Sequence, residues 1–162
     1  WIDELLLLKG RDNPELTQRI DDLLARLGED KMQYLYENEI RGLGDHCVLP
    51  LTRYIQSDRS TRDPARRRRA AEILSDCAQP WCIPYLIELL SDHDGDIRAA
   101  AGRALVRVSH YDIGSDEQWR NGSDSDRAEL IARWQQWWSR NKSHIPGTGA
   151  PDTKNRSSSD KI

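Results

Sequence analysis

The segment Asp58–Ala70, DRSTRDPARRRRA, holds six arginines and two aspartates. Guanidinium groups grip phosphate bidentately, so Arg59–Arg69 is a candidate nucleic-acid contact. Four of these residues, Arg66, Arg67, Arg68 and Arg69, are consecutive. On a helix, consecutive side chains fan out by about 100° each, so the four cannot form one stripe. Arg67 also has a counterpart in Arg98. Structure and solvation are therefore the preferred reading, and nucleic-acid contact through Arg59, Arg62, Arg66, Arg68 and Arg69 is the alternative.

A second candidate is DHDGD, which sets carboxylates at Asp92, Asp94 and Asp96. Alternating acids suggest a calcium loop, but such a loop needs Gly at its sixth position and an acid at its twelfth. Counting from Asp92, Gly95 is fourth and Arg103 is twelfth. A turn with helix-capping aspartates explains the run instead. The four histidines, His46, His93, His110 and His144, are isolated, and no spacing of His or Cys suits a metal. No G-x-S-x-G and no glycine-rich phosphate loop occurs. The expectation is no catalytic residue, no cofactor and no metal.

Cys47, Cys77 and Cys82 are an odd count and make no disulfide framework. Cys77 and Cys82 are close enough in sequence to face each other across a helix connection. Small apolar residues on buried faces is the preferred reading. Asn121 and Asn155 begin N-x-S sequons, which carry little weight.

Charged residues make up 31% of the 162 and apolar ones 37%, with a net charge of −3. This mixed balance gives no global field that would draw the chain to nucleic acid or an anionic membrane. No apolar run approaches the roughly 20 residues of a membrane span. The chain begins at Trp1 and not Met, as a fragment or processed form would. The compartment stays open, with the cytoplasm favoured.

The elements that must position these residues are helical. Apolar residues recur at three and four, and none of the chain alternates with period two. The spacing predicts helices over 2–9, 14–27, 30–41, 45–57, 64–77, 80–91, 95–108 and 124–140. Pro14 and Pro64 suit first turns, and Gly10, Gly28 and Gly42 suit helix ends. The last stretch, rich in Ser, Gly, Pro and charge, predicts a disordered tail over 141–162.

Two of the predicted pairs are near-copies. LPLTRYIQSD (49–58) aligns with IPYLIELLSD (83–92), and RRRAAEIL (67–74) with RAAAGRAL (98–105). The first offset is 34 and the second 31, and the difference lies wholly in the turn between. Loop insertions cost little free energy, whereas insertions in packed helices cost much. Such hairpins bury their apolar faces only by stacking. Alanines at 70, 71, 100, 101 and 104 allow helix axes to approach closely.

The segment IPYLIELLSDHDGDIRAAAGRALVRVS (83–109) resembles a HEAT-like repeat, of the short kind also found in phycobilisome lyases. The resemblance rests on Pro84, on Leu86, Leu89 and Leu90, on Asp92 and Asp96, and on Ile97, Arg98, Ala101 and Leu105. The preceding repeat departs from it at Arg66, which stands in place of Ile97. The resemblance implies an all-α fold, an α-solenoid of stacked helical hairpins in a HEAT/armadillo-like superhelix. Its expected parts are degenerate N-terminal repeats over 1–44, two HEAT-like repeats over 45–109, a loop and capping helix over 110–140, and the tail. It also implies that Arg67 pairs with a turn aspartate of a neighbour, and that second helices line a surface for protein partners.

The outward residues of those helices, Arg68, Arg69, Glu72, Asp76, Arg103 and Arg107, are the candidate partner-binding set. Glu72 and Asp76 align with Arg103 and Arg107, which also reads as a charge match between adjacent repeats. Leu130, Ile131, Trp134, Trp137 and Trp138 form one face of a Trp-rich helix, expected to cap the stack over Leu105 and Val108. An aromatic anchor for a partner is the other reading of those tryptophans. The expected function is a non-catalytic scaffold for protein–protein interaction. A nucleic-acid-binding solenoid is the alternative, and a tetrapyrrole-lyase-like enzyme is third.

Overall fold

The structure, a computed structural model, describes residues 14–27, 32–57 and 63–145. The expectations for 2–9, Gly10, Gly28, Asp58, Arg59, Arg62 and 146–162 lie outside the described residues. Among the described residues there are α-helices, three short 3-10 turns and no strand. In chain order the helices are α1 (Pro14–Arg26), α2 (Gln33–Gly42), α3 (Val48–Gln56), α4 (Pro64–Cys77), α5 (Ile83–Leu89), α6 (Gly95–Ser109), α7 (Asp116–Asn121) and α8 (Asp124–Asn141).

Local chemistry sets the ends. The Asp63 carboxylate accepts the Arg66 N–H and Pro64 opens α4, so a capping side chain and a pre-set φ start that helix together. Asp94 caps α6 through the Asp96 N–H. Ser123 caps α8 through the Asp126 N–H, and Ser115 with Gln118 forms a capping box on α7. The predicted starts at 45 and 80 are 3-10 turns, Gly44–Cys47 and Pro80–Cys82, ahead of α3 and α5. Regular structure runs to a 3-10 turn at Lys142–His144, inside the stretch read from sequence as tail.

Each hairpin packs its two helices together and stacks on the next. The layer of second helices runs α2, α4, α6, each against its neighbour; α1, α3 and α5 lie on the other side. The core between the layers includes Leu24, Ile40, Leu51, Ile55, Leu74, Leu86 and Leu105, all essentially buried. Ala70, Ala101 and Ala104 are buried where α4 and α6 meet their neighbours. Small side chains there let helices approach closely.

The closing pair departs from the expectation. Its first helix, α7, occupies part of the stretch where a loop is expected, and it lies along α6. Arg103, midway along α6, meets Asp116 at the start of α7, and Asp96, at the start of α6, meets Arg120 near its end. α7 therefore runs antiparallel to α6. The Trp-rich α8 packs on α5 and α7. The pair thus packs in exchanged order, first helix beside α6 and second beside α5. The close fit of α7 comes from glycine. A Cβ at Gly102 would stand 2.5 Å from the Trp119 indole nitrogen, and one at Gly114 2.7 Å from the same ring. Gly114 also has φ +83°, which glycine adopts freely. Trp119 fills that space and is fully buried.

Gly102→Ala is therefore expected to lower unfolding free energy by about 2 kcal/mol through overpacking against Trp119. Gly42→Ala, with nothing within 4 Å of the added carbon, is expected to be neutral or slightly stabilising. Chemical unfolding of both variants checks this; equal stability would mean that α7 does not pack as described.

Candidate functional site

The six residues selected from sequence lie on one face of the second-helix layer, and every one has a lateral partner. Arg69 meets Glu37 of α2 at 2.7 Å, and Asp76 meets Arg41 of α2 at 2.8 Å. Arg68 meets Asp94 at the start of α6 at 2.7 Å. Glu72 meets Arg103 of α6 at 2.7 Å, and Arg103 continues to Asp116 of α7 at 2.6 Å. Arg107 donates to the carbonyls of Ser75 and Ala78 at the end of α4, where a helix carries negative partial charge. The face is a ladder of cross-helix ion pairs, spanning α2, α4, α6 and α7. Glu37, Arg41, Asp116 and Arg120 belong to it and were not selected from sequence. Their signal was the helical register opposite the six, hidden by the degenerate first hairpin and the missed α7.

The four consecutive arginines diverge as their angular spacing requires. Arg66 donates to the Leu27 carbonyl at 2.6 Å. Arg67 turns inward, Arg68 reaches α6, and Arg69 reaches α2. They do not share a groove. Arg67 is the buried member: its Nε donates to the Ile55 carbonyl at 2.8 Å, and its two Nη groups hold both oxygens of Asp92. The side chains of this pair are 6% and 8% exposed. The neighbour's turn aspartate expected for Arg67 is thus Asp92. Arg98, the counterpart in the next repeat, instead donates to the carbonyls of Asp92, Trp119 and Arg120. The residue standing where Asp92 would recur, two before the helix cap, is Asn121, which carries no charge.

The aspartates of the turn are taken up by this scaffolding. Asp92 is held by Arg67, Asp94 caps α6 and pairs with Arg68, and Asp96 pairs with Arg120. Among the described residues, no group of three His, Cys, Asp or Glu side chains is placed to hold a metal ion. Cys47, Cys77 and Cys82 are buried and form no disulfide. Cys77 stands beside Cys47; its hydrogen bond, with burial, pushes the Cys47 thiol up, and Cys82 acts in the same direction. Cys82 instead accepts the Gln79 N–H. Trp134 is buried and donates to the Ile113 carbonyl, while Tyr111 stacks on Trp137 at 5.8 Å. Trp137 and Trp138 are half-buried.

Asp94 gives this face a pH dependence. Burial opposes its ionisation, but the Arg68 guanidinium and the Asp96 N–H outweigh burial and hold the carboxyl below its ordinary value. A carboxyl depressed in the folded state stabilises the fold above its unfolded value, and that contribution is lost as the pH falls through the folded value. Asp94→Asn keeps a good capping group and removes the charge. It is expected to cost up to about 1 kcal/mol at neutral pH, with the difference from the parent shrinking in acid. Unfolding measured across a pH series checks this; a difference constant with pH would remove the charge from the explanation.

Comparison with known proteins agrees with this geometry. No curated protein and no solved structure matches the chain. Residues 51–119 match the family model described as HEAT repeats, which spans α3 from its fourth residue through α7 to Trp119. The match is to HEAT repeats as such and not to the lyase type. No described helix is long and apolar enough to cross a membrane. The repeat offset, the stacked second helices and the Arg67–Asp92 bond between repeats converge with that match: residues 51–119 carry HEAT-like repeats.

Proposed function

We propose that this chain is a non-catalytic scaffold that binds a protein partner on the second-helix face. The supporting observation is the ion-pair ladder that crosses four helices and presents Arg68, Arg69, Glu72, Asp76, Arg103 and Arg107 on one side. HEAT repeats commonly serve protein interaction, and a broad face of alternating charge suits a partner whose own charges alternate. Arg69, Glu72 and Asp76 have side chains about half exposed, so they are within reach of such a partner. Exposed pairs of this kind contribute only about 0–1 kcal/mol each, so a partner can exchange them at small cost.

The nucleic-acid reading finds less support, because the four described arginines of the basic segment reach four different places. Capture of a partner by the intact chain is expected to fall at least tenfold when Arg69, Glu72 and Asp76 are all changed to Ala, with helicity retained. Capture that survives this change places the partner elsewhere. In parallel, the chain is expected not to bind a mixed DNA and RNA pool at low salt. Tight binding with a steep salt slope would replace the scaffold reading.

A further inference from the structure

Three arginines occupy equivalent places in successive hairpins, each four residues after its helix cap: Arg67 after Asp63, Arg98 after Asp94, and Arg127 after Ser123. Only Arg67 has a buried carboxylate. Arg98 is buried and donates to three backbone carbonyls. A guanidinium has five N–H donors, so this accounts for three of them. Arg127 donates to the Gly122 carbonyl and to the Asp124 carboxylate, whose side chain is 97% exposed. The series that begins with a buried ion pair therefore ends with two guanidinium groups that hydrogen-bond no buried carboxylate.

Those two arginines line one cleft of about 410 Å³, between the turn that follows α5 and the first turns of α8. Ser91, Asp92, His93 and Asp124 line it with them. Both oxygens of Asp92 are already held by Arg67, and Asp124 can swing into solvent with little loss. Burial, and after it the charge of Arg127, lowers the affinity of Arg98 for its proton; the charges of Asp92, Asp94 and Asp124 act the other way. With Asp92 engaged by Arg67 and Asp124 turned to solvent, two guanidinium groups lining one cleft favour an incoming anion.

We propose that the Arg98–Arg127 cleft is a carboxylate-binding site that takes an acidic side chain from a peptide segment of a partner. Carboxylate is favoured over other anions by Arg67, which stands at the same point of its helix and holds a carboxylate through both Nη groups. The site shares none of the six residues of the second-helix face, so it stands or falls apart from the proposed function.

The test uses the full chain at about 50 mM salt, where surface charge is weakly screened. Titration calorimetry is run with a short Glu-rich peptide, with free succinate and with inorganic phosphate. The peptide is expected to bind, and Arg127→Gln to weaken it by about tenfold to a hundredfold, the loss of one charge-assisted contact. Arg127→Lys, which keeps the charge and loses the fork, is expected to fall between. Arg140→Gln, exposed in the last turn of α8 and outside the cleft, is expected to leave binding unchanged. Helicity of each variant confirms the fold, and Arg98 is left intact because its loss would strand buried carbonyls. Succinate binding as tightly as the peptide upholds the carboxylate site and identifies a free dicarboxylate as sufficient. No binding by either carboxylate, equal binding by Arg127→Gln, or a preference for phosphate overturns the proposal.

Discussion

The bond between Arg67 and Asp92 is the constraint on which the stack depends. It joins three parts: the end of α3 through the Ile55 carbonyl, the start of α4, and the turn before α6. Burying two charges is costly, and a well-packed apolar pair often serves stability as well. What the ion pair adds is a fixed position, because a two-pronged fork holds its carboxylate in one orientation. Asp92 in turn receives the Asp94 N–H, so the same carboxylate shapes the turn that caps the next helix. One repeat thereby sets the register of its neighbour.

With that register fixed, the rest of the second-helix face follows. Buried alanines on α4 and α6 bring the helices close, and residues one repeat apart stand side by side. Glu72 then meets Arg103, and Arg68 meets Asp94. These contacts are half-exposed and individually weak. Their value lies in being aligned, which makes the face a regular pattern of charge and not a single-sign patch. At the closing end, Gly102 and Gly114 admit Trp119, and the chain turns back so that α8 rests on α5.

The sequence made the central repeat legible because helices tolerate no insertion and loops do. The alignment of Ala70 with Ala101 and Leu74 with Leu105 carried the fold, and Pro64 placed the start of α4 to the residue. The lateral pairing of Glu72 with Arg103 was also readable, since equivalent positions on stacked helices are neighbours. α7 was missed because six residues contain less than two turns and no periodicity can show in them. The exchanged order of the last pair was missed for a different reason. It depends on space above Gly102, and the absence of a side chain leaves little mark in an apolar pattern. Glu37 and Arg41 escaped notice because their hairpin is too degenerate to align with the others. The approach of Cys77 to Cys47 required the distance between neighbouring hairpins, which sequence separation does not give.

A double-mutant cycle on Arg67→Met and Asp92→Ala measures the coupling between the two repeats most directly. Each single change leaves a buried charge without its partner and is expected to cost about 3–5 kcal/mol. The double change should cost at least about 2 kcal/mol less than the sum of the two. Additivity within about 0.5 kcal/mol would contradict the account, because it would mean that the two residues do not hold the repeats together.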